Sequence, residues 1–82
     1  MIRPEDIVTK VQAGIPDAKV EAFDTAGDAA HWRILVVSTR FEGMGRLDRH
    51  RLVMAQLEDA IGDGRPIHAV EIRPMTPAEA GA

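Results

Sequence analysis

The sequence predicts an α/β (α+β) domain of order α-β-β-α-β, a three-stranded mixed sheet with helices packed on one face. Three observations predict it. Two segments repeat apolar residues at helical spacing, three short segments are rich in β-branched residues, and the second helical segment separates the last two strands. At 82 residues the chain is read as a single domain, 1–82, near the low end for folding without disulfides or metals.

The first helix is predicted over residues 4–13. Pro4 suits a first helical turn, where its missing N–H has no partner to lose. Glu5 and Asp6 sit at the positive end of the helix dipole. Ile7, Val8, Val11 and Ile15 make one apolar stripe, and Gly14 and Pro16 stop the helix. Residues 18–23 read as a strand in which Val20 and Ala22 alternate with Lys19, Glu21 and Phe23, and a polar loop with Gly27 follows. Residues 32–39 form the clearest strand. Its β-branched residues lie on both faces, which marks a central strand covered on at least one side. A connection punctuated by Gly43 and Gly45 leads to a second helix over 47–61, where Leu47, Met54, Leu57 and Ile61 keep apolar spacing with Val53 and Ala60 beside them. Gly62 and Gly64 end it. The third strand is predicted over 67–72, bounded by Pro66 and Pro74. Thr76-Pro77-Ala78-Glu79 has the form of a capping box. So few residues follow that 76–82 are expected to be a frayed turn at most.

Strands one and two, joined by a loop, can pair antiparallel. Strands two and three, joined through a helix of about 15 residues, suit a right-handed parallel crossover. Parallel neighbours have their N-terminal ends at one edge of the sheet, about 4.8 Å apart. His31 stands just before strand two and His68 near the start of strand three, so two imidazoles are expected to converge at one rim.

Composition excludes several function classes. The apolar fraction of 45% with mixed charge is that of a globular chain. A formal net charge of −3 argues against a dedicated nucleic-acid binder, although residues 31–54 lean basic through Arg33, Arg40, Arg46, Arg49 and Arg51. There is no cysteine, hence no disulfide framework, thiolate nucleophile or self-sufficient zinc–thiolate site. That absence fits a reducing compartment. No apolar run approaches the roughly 20 residues of a membrane span, and the N-terminus lacks an apolar secretory core. The expectation is a cytoplasmic protein that binds no membrane.

Two neutral imidazoles suit zinc, iron or copper, yet a closed structural zinc site takes four ligands. A metal on His31 and His68 therefore has to be shared with another chain or a small thiol, which points to an adaptor. Read as purely structural residues, the same histidines leave only an interaction module. His50, within Arg49-His50-Arg51 on the first turns of the second helix, is at the wrong end of that helix to join them and belongs to a basic face. An independent enzyme is not expected: Ser38 is the only serine and lacks a G-x-S-x-G context, and there is no tyrosine. The element order matches type II KH topology, known for binding RNA and single strands. A KH clamp needs a GXXG loop between helices, whereas Gly43-Met44-Gly45 follows a strand. Trp32 and Phe41 are assigned to the core rather than to base stacking.

Five blocks then stand out: Val36-Val37-Ser38, Phe41-Glu42-Gly43, Arg49-His50-Arg51-Leu52-Val53, Ile67-His68-Ala69-Val70 and Thr76-Pro77-Ala78-Glu79. In their order and intervals the chain resembles the BolA family over nearly its whole length, most densely over 31–79. The resemblance implies a type II KH-like fold with no true GXXG loop. It also implies a monothiol glutaredoxin partner, with a [2Fe–2S] cluster bridged by the glutaredoxin cysteine, a glutathione thiol and two BolA-side ligands. One family ligand is the histidine near the start of the last strand, matched by His68. The other is a His or Cys in the loop between the first two strands. That loop here holds neither residue before His31, so either His31 stands in or the second ligand is missing. No cofactor is expected on the chain alone, which is then a monomer or weak homodimer. The family is also described as transcriptional regulators, with DNA contacts in the glycine turn and basic helix, matched by Arg40, Arg46, Arg49, His50 and Arg51. The family's tryptophan after the T-P-x-E block is replaced by Ala80.

Overall fold

The computed structural model describes residues 1–81. Helix α1 (Pro4–Gly14) starts where expected. The Asp6 carboxylate accepts the Arg3 N–H at 2.9 Å, a donor the helix leaves without an internal partner. Ile7, Val11 and Ile15 are fully buried along one stripe. Gly14 ends the helix and also admits the side chain of Gln56 so closely that a Cβ would collide with its amide.

Strand β1 (Lys19–Asp24) pairs antiparallel with β2 (His31–Val37), from Lys19 opposite Val37 to Asp24 opposite Trp32. Strand β2 is central and pairs parallel with β3 (Ala69–Met75), from His31 opposite Ala69 to Val37 opposite Met75. Helix α2 (Arg46–Leu57) makes the crossover and continues into a 3-10 turn, Glu58–Ala60. Trp32, Ile34 and Val36 point to one face of the sheet. There they join Ile7 and Val11 of α1, Val53 and Leu57 of α2, and Phe41 in one core. Both aromatics assigned to the core are in it. The other sheet face carries Phe23, Arg33, Leu35, Glu71 and Arg73. Among the described residues no helix is long and apolar enough to cross a membrane.

Several boundaries differ from expectation: α2 ends at Leu57 rather than at residue 61, giving way to the 3-10 turn, and the strand ends shift for local reasons. Strand β2 stops at Val37 because the Ser38 hydroxyl donates to Asp17 Oδ1 at 2.5 Å and accepts from the Arg40 N–H at 3.0 Å, capping a 3-10 turn over Thr39–Phe41. Strand β3 starts and ends later than predicted. Ile67 forms an isolated parallel bridge with Ile61, and Pro74 does not break the strand. The Met75 carbonyl turns toward β2, where it accepts from the Ser38 N–H at 3.0 Å, so its neighbour Pro74 has its backbone on the free edge. A proline is tolerated there because that edge has no ladder bond to lose. Leu47, placed on the apolar stripe of the second helix, is 59% exposed. The buried line is instead Val53 and Leu57, which Arg49 continues toward the N-terminus at i−4. The capping box at the tail forms reciprocally, Thr76 N–H to Glu79 Oε1 at 2.9 Å and Glu79 N–H to Thr76 Oγ1 at 3.2 Å.

Asp17 ties the end of β2 to the segment after α1, accepting from Ser38 and from both the N–H and hydroxyl of Thr39. These bonds, the Ser38 hydroxyl first, hold its carboxyl below the ordinary value of 3.8. A carboxyl depressed by folding stabilises the fold above its unfolded-state value and loses that contribution as pH falls through the folded one. Asp17→Ala is therefore expected to lower the urea midpoint at neutral pH. The gap from wild type should close as the medium is acidified below about pH 4. Denaturant titrations of both chains over that range measure it; a gap independent of pH would remove Asp17 from the acid response.

Candidate metal centre at the rim of the sheet

The parallel register sets His31 opposite Ala69, so His68 lies immediately before the point where β3 joins β2. The backbone locks this edge. The Ala30 carbonyl accepts from His68 N–H at 2.7 Å and from Ala69 N–H at 3.1 Å. The two imidazole rings have centroids 5.9 Å apart and planes inclined at 44°. Metal–nitrogen bonds of about 2 Å put two imidazoles on one ion with ring centres about 5 to 6 Å apart, and the pair has that spacing. Both rings reach solvent.

The loop before β2 is wound by two carboxylates. Asp24 accepts from the N–H groups of Ala26, Gly27 and Ala29, at 3.3, 2.8 and 2.8 Å. Gly27 and Ala29 both sit at positive φ, 72° and 58°, and the tight turn depends on that conformation. Asp28 Oδ1 accepts from the N–H groups of Ala30 and His31, at 2.9 and 3.1 Å, and Oδ2 lies 2.7 Å from His31 Nδ1. The Ala30 N–H above all, with the bonds from His31, holds the Asp28 carboxyl below its ordinary value. Trp32 closes the loop by donating its indole N–H to the Ala29 carbonyl at 3.1 Å. Among the described residues no group of three or more His, Cys, Asp or Glu side chains is placed to hold a metal ion. The donor set is two imidazoles open to solvent, fit for a borderline-soft metal and short of a full shell.

The basic residues of the glycine turn and helix are not gathered on one surface. Arg46, Arg49 and His50 line a groove with Met44, Leu47, Ile72, Pro74 and Met75. Arg51 lies on a different side of α2, beside Met54 and Glu58. Arg40 is exposed on the 3-10 turn. The groove borders the C-terminal end of β3. Seven residues at about 3.3 Å each separate it from His68 by roughly the length of the strand, so His50 stands apart from the histidine pair. The structure takes Arg49 out of the phosphate-contact set. Its side chain is only 13% exposed, and it donates to the Met44 carbonyl at 2.9 Å and to Glu79 Oε1 at 2.6 Å. Its guanidinium carbon lies 6.0 Å from the centre of the buried Phe41 ring. Glu79, its carboxyl held low chiefly by Arg49, thereby clamps the tail against α2.

Fold and rim define a small α+β domain of the kind seen in solved BolA structures. BolA1 from Arabidopsis thaliana superposes with a TM-score of 0.81 at 30% identity, covering 96% of each chain. A family model described as BolA-like protein matches residues 10–79, and the chain belongs to the BolA family. It is 49% identical over 53 residues to BolA-like protein 1 of Homo sapiens, which is 65% of this chain and 37% of that one. It is 41% identical over 54 residues to acid stress protein IbaG of Escherichia coli K12, which is 66% and 63% respectively. The matched stretch thus spans less than two thirds of either relative.

Sequence reasoning found the histidine pair and missed its support. Asp28, three residues before His31, reads as one more loop acid, and only a turn at positive φ brings its carboxylate onto the ring. Arg49 gave one available signal, its position at i−4 from Val53. Arg49→Ala is expected to lower stability by about 1–3 kcal/mol, the scale for a partly buried charged hydrogen-bonding group. Arg46→Ala and Arg51→Ala should stay within about 0.5 kcal/mol of wild type. Urea unfolding of the three variants measures this; equal effects would return Arg49 to the solvated face.

Proposed function

We propose that this chain is an iron–sulfur adaptor. In this reading His68 and His31 are presented to a [2Fe–2S] cluster whose remaining ligands are a monothiol glutaredoxin cysteine and a glutathione thiol. The observation that carries it is the incomplete pair: two imidazoles at 5.9 Å on one rim, with no group of three or more potential ligand side chains placed to hold a metal among the described residues. Such a site can hold a cluster only if thiols come from outside, and a chain with no cysteine supplies none. A cluster with mixed histidine and cysteine ligation has a higher potential than an all-cysteine one. The chain's own residues orient the rings and leave them open to a partner surface. No catalytic residue is part of this reading.

The test is reconstitution of the chain with a monothiol glutaredoxin, glutathione, iron and sulfide. A heterodimer with thiolate-to-iron bands in the visible spectrum is expected, with bands that shift and fade faster for His68→Ala. A spectrum and lifetime unchanged by that substitution would remove His68 from the site. The same comparison with His31→Ala decides between a His31 ligand and a missing one.

One observation favours a second reading, DNA binding. No salt bridge among the described residues engages Arg40, Arg46 or Arg51. Each phosphate neutralised on a duplex steepens the salt dependence of log K by about 0.9. The reading predicts that Arg46→Ala and Arg51→Ala each flatten that slope by about one such step. Fluorescence anisotropy with a labelled duplex at low salt measures it, and absence of binding there removes the reading.

A further inference from the structure

We propose that Asp28 is a positioning residue: it holds His31 as the Nδ1–H tautomer, so that Nε2 keeps the lone pair available to a metal. This rests on the cluster-sharing reading for what Nε2 binds, but not for the tautomer itself.

The argument begins with the hydrogen-bond capacity of the carboxylate. Asp28 Oδ1 is already engaged by two backbone donors, Ala30 N–H and His31 N–H. The carboxylate is therefore fixed in the loop before the imidazole is considered. Its second oxygen sits 2.7 Å from His31 Nδ1. An ionised carboxylate only accepts hydrogen bonds, so at neutral pH the bond exists only when Nδ1 carries the hydrogen. The neutral ring must then leave Nε2 unprotonated, and a metal is bound by the unprotonated nitrogen. Carboxylates behind metal-ligating histidines fix ring and tautomer in this way, and their removal typically costs 10–100-fold in metal affinity.

The geometry is imposed by the fold rather than by chance at a surface. The turn that delivers Asp28 requires the positive φ of Ala29 and is pinned by Asp24 and by the Trp32 indole. The Ala30 carbonyl, one residue on, is the acceptor that aligns His68 and Ala69. The chain segment 28–31 thus aims one imidazole and seats the other. Asp28 is not itself a third donor, since no group of three such side chains forms among the described residues; it acts through His31.

The decisive variant is Asp28→Asn, which is nearly isosteric. The two backbone N–H donors still need an acceptor, so the amide oxygen takes the Oδ1 place and the NH2 group faces the imidazole. An NH2 donates to Nδ1 and forces the hydrogen onto Nε2. Loop and stability are kept while the ring's lone pair is moved to the wrong nitrogen.

Long-range 1H–15N NMR of the imidazoles, on the full chain with no metal at a pH of about 8, above the ordinary range of a free imidazole, reads the tautomer directly. The expected result is Nδ1–H for His31 in the wild type and Nε2–H in Asp28→Asn, with unchanged melting. The glutaredoxin-bound cluster should then be lost 10–100-fold faster from Asp28→Asn than from wild type. A wild-type His31 with its hydrogen on Nε2, or an even mixture, overturns the proposal. A tautomer that switches as expected while cluster lifetime stays the same overturns the positioning role and removes His31 as an Nε2 ligand. Asp28→Ala, which frees the ring without reversing it, should give a mixed tautomer and an intermediate lifetime; a lifetime as short as that of Asp28→Asn, with lowered melting, assigns the effect to the loop and overturns the proposal. If the wild type shows the expected tautomer but acquires no cluster with glutaredoxin and glutathione, the adaptor reading and the metal-directed role fail together, and the tautomer assignment stands.

Discussion

The parallel pairing of β2 with β3 is the constraint on which the rest of this structure depends. It is the long-range ladder of the fold, closed only after a crossover through α2, and it is supported from one side by Trp32, Ile34, Val36 and Ile72 packing under the helices. Parallel order puts both N-terminal strand ends at one rim. An antiparallel β3 would carry His68 to the far end of a seven-residue strand, about 20 Å from His31 at strand spacing. The rim is then finished by a single carbonyl, that of Ala30, which accepts from both His68 and Ala69. The separation of the two rings is thus set by backbone that is itself hydrogen-bonded.

Around this ladder several acids of the chain serve as backbone acceptors. Asp17 receives the end of β2, Asp24 and Asp28 wind the loop before it, and Glu79 closes the tail box while pairing with Arg49. A domain of this size has a small core and a narrow stability margin, so loops that must hold a geometry are secured by hydrogen bonds to charged groups rather than by burial. The same logic explains Arg49. It continues the buried line of α2 where the helix passes the tail, and a guanidinium with several carbonyl and carboxylate partners fills that place without leaving a buried charge unpaired.

The fold was legible in the sequence because its signals are regular: the Ile7, Val11 and Ile15 stripe, the β-branched run of the second strand, and a helix between two strands that suits a crossover. The convergence of His31 and His68 followed from topology alone. What stayed hidden was local. Ser38 has a strand-like neighbourhood but ends β2, because Asp17, remote in sequence, offers its hydroxyl a partner. Pro74 looks like a stop, and is one only for a strand whose N–H must face a neighbour. Leu47 fits a helical stripe by spacing, yet the apolar line of α2 runs through Val53 and Leu57, rotated away from it. Asp28 carries no periodic signal at all, since its role depends on an alanine adopting positive φ.

The incompleteness of the histidine pair has a physical consequence that a complete site would not share. A closed shell of protein ligands gains its affinity from every donor being fixed in one fold, and releases its metal only if that fold opens. Here the fold fixes two side chains and leaves them exposed, so on the proposed adaptor reading a shared group departs with the partner's thiols and without unfolding of this chain. Holding two rings in solvent costs little desolvation, which lets the rim stay formed without a ligand. The investment of the structure lies in aiming the rings, through Ala30 for His68 and Asp28 for His31, rather than in enclosing what they bind. On the cluster-sharing reading, aim without enclosure suits a component that passes a metal group on rather than one that stores it.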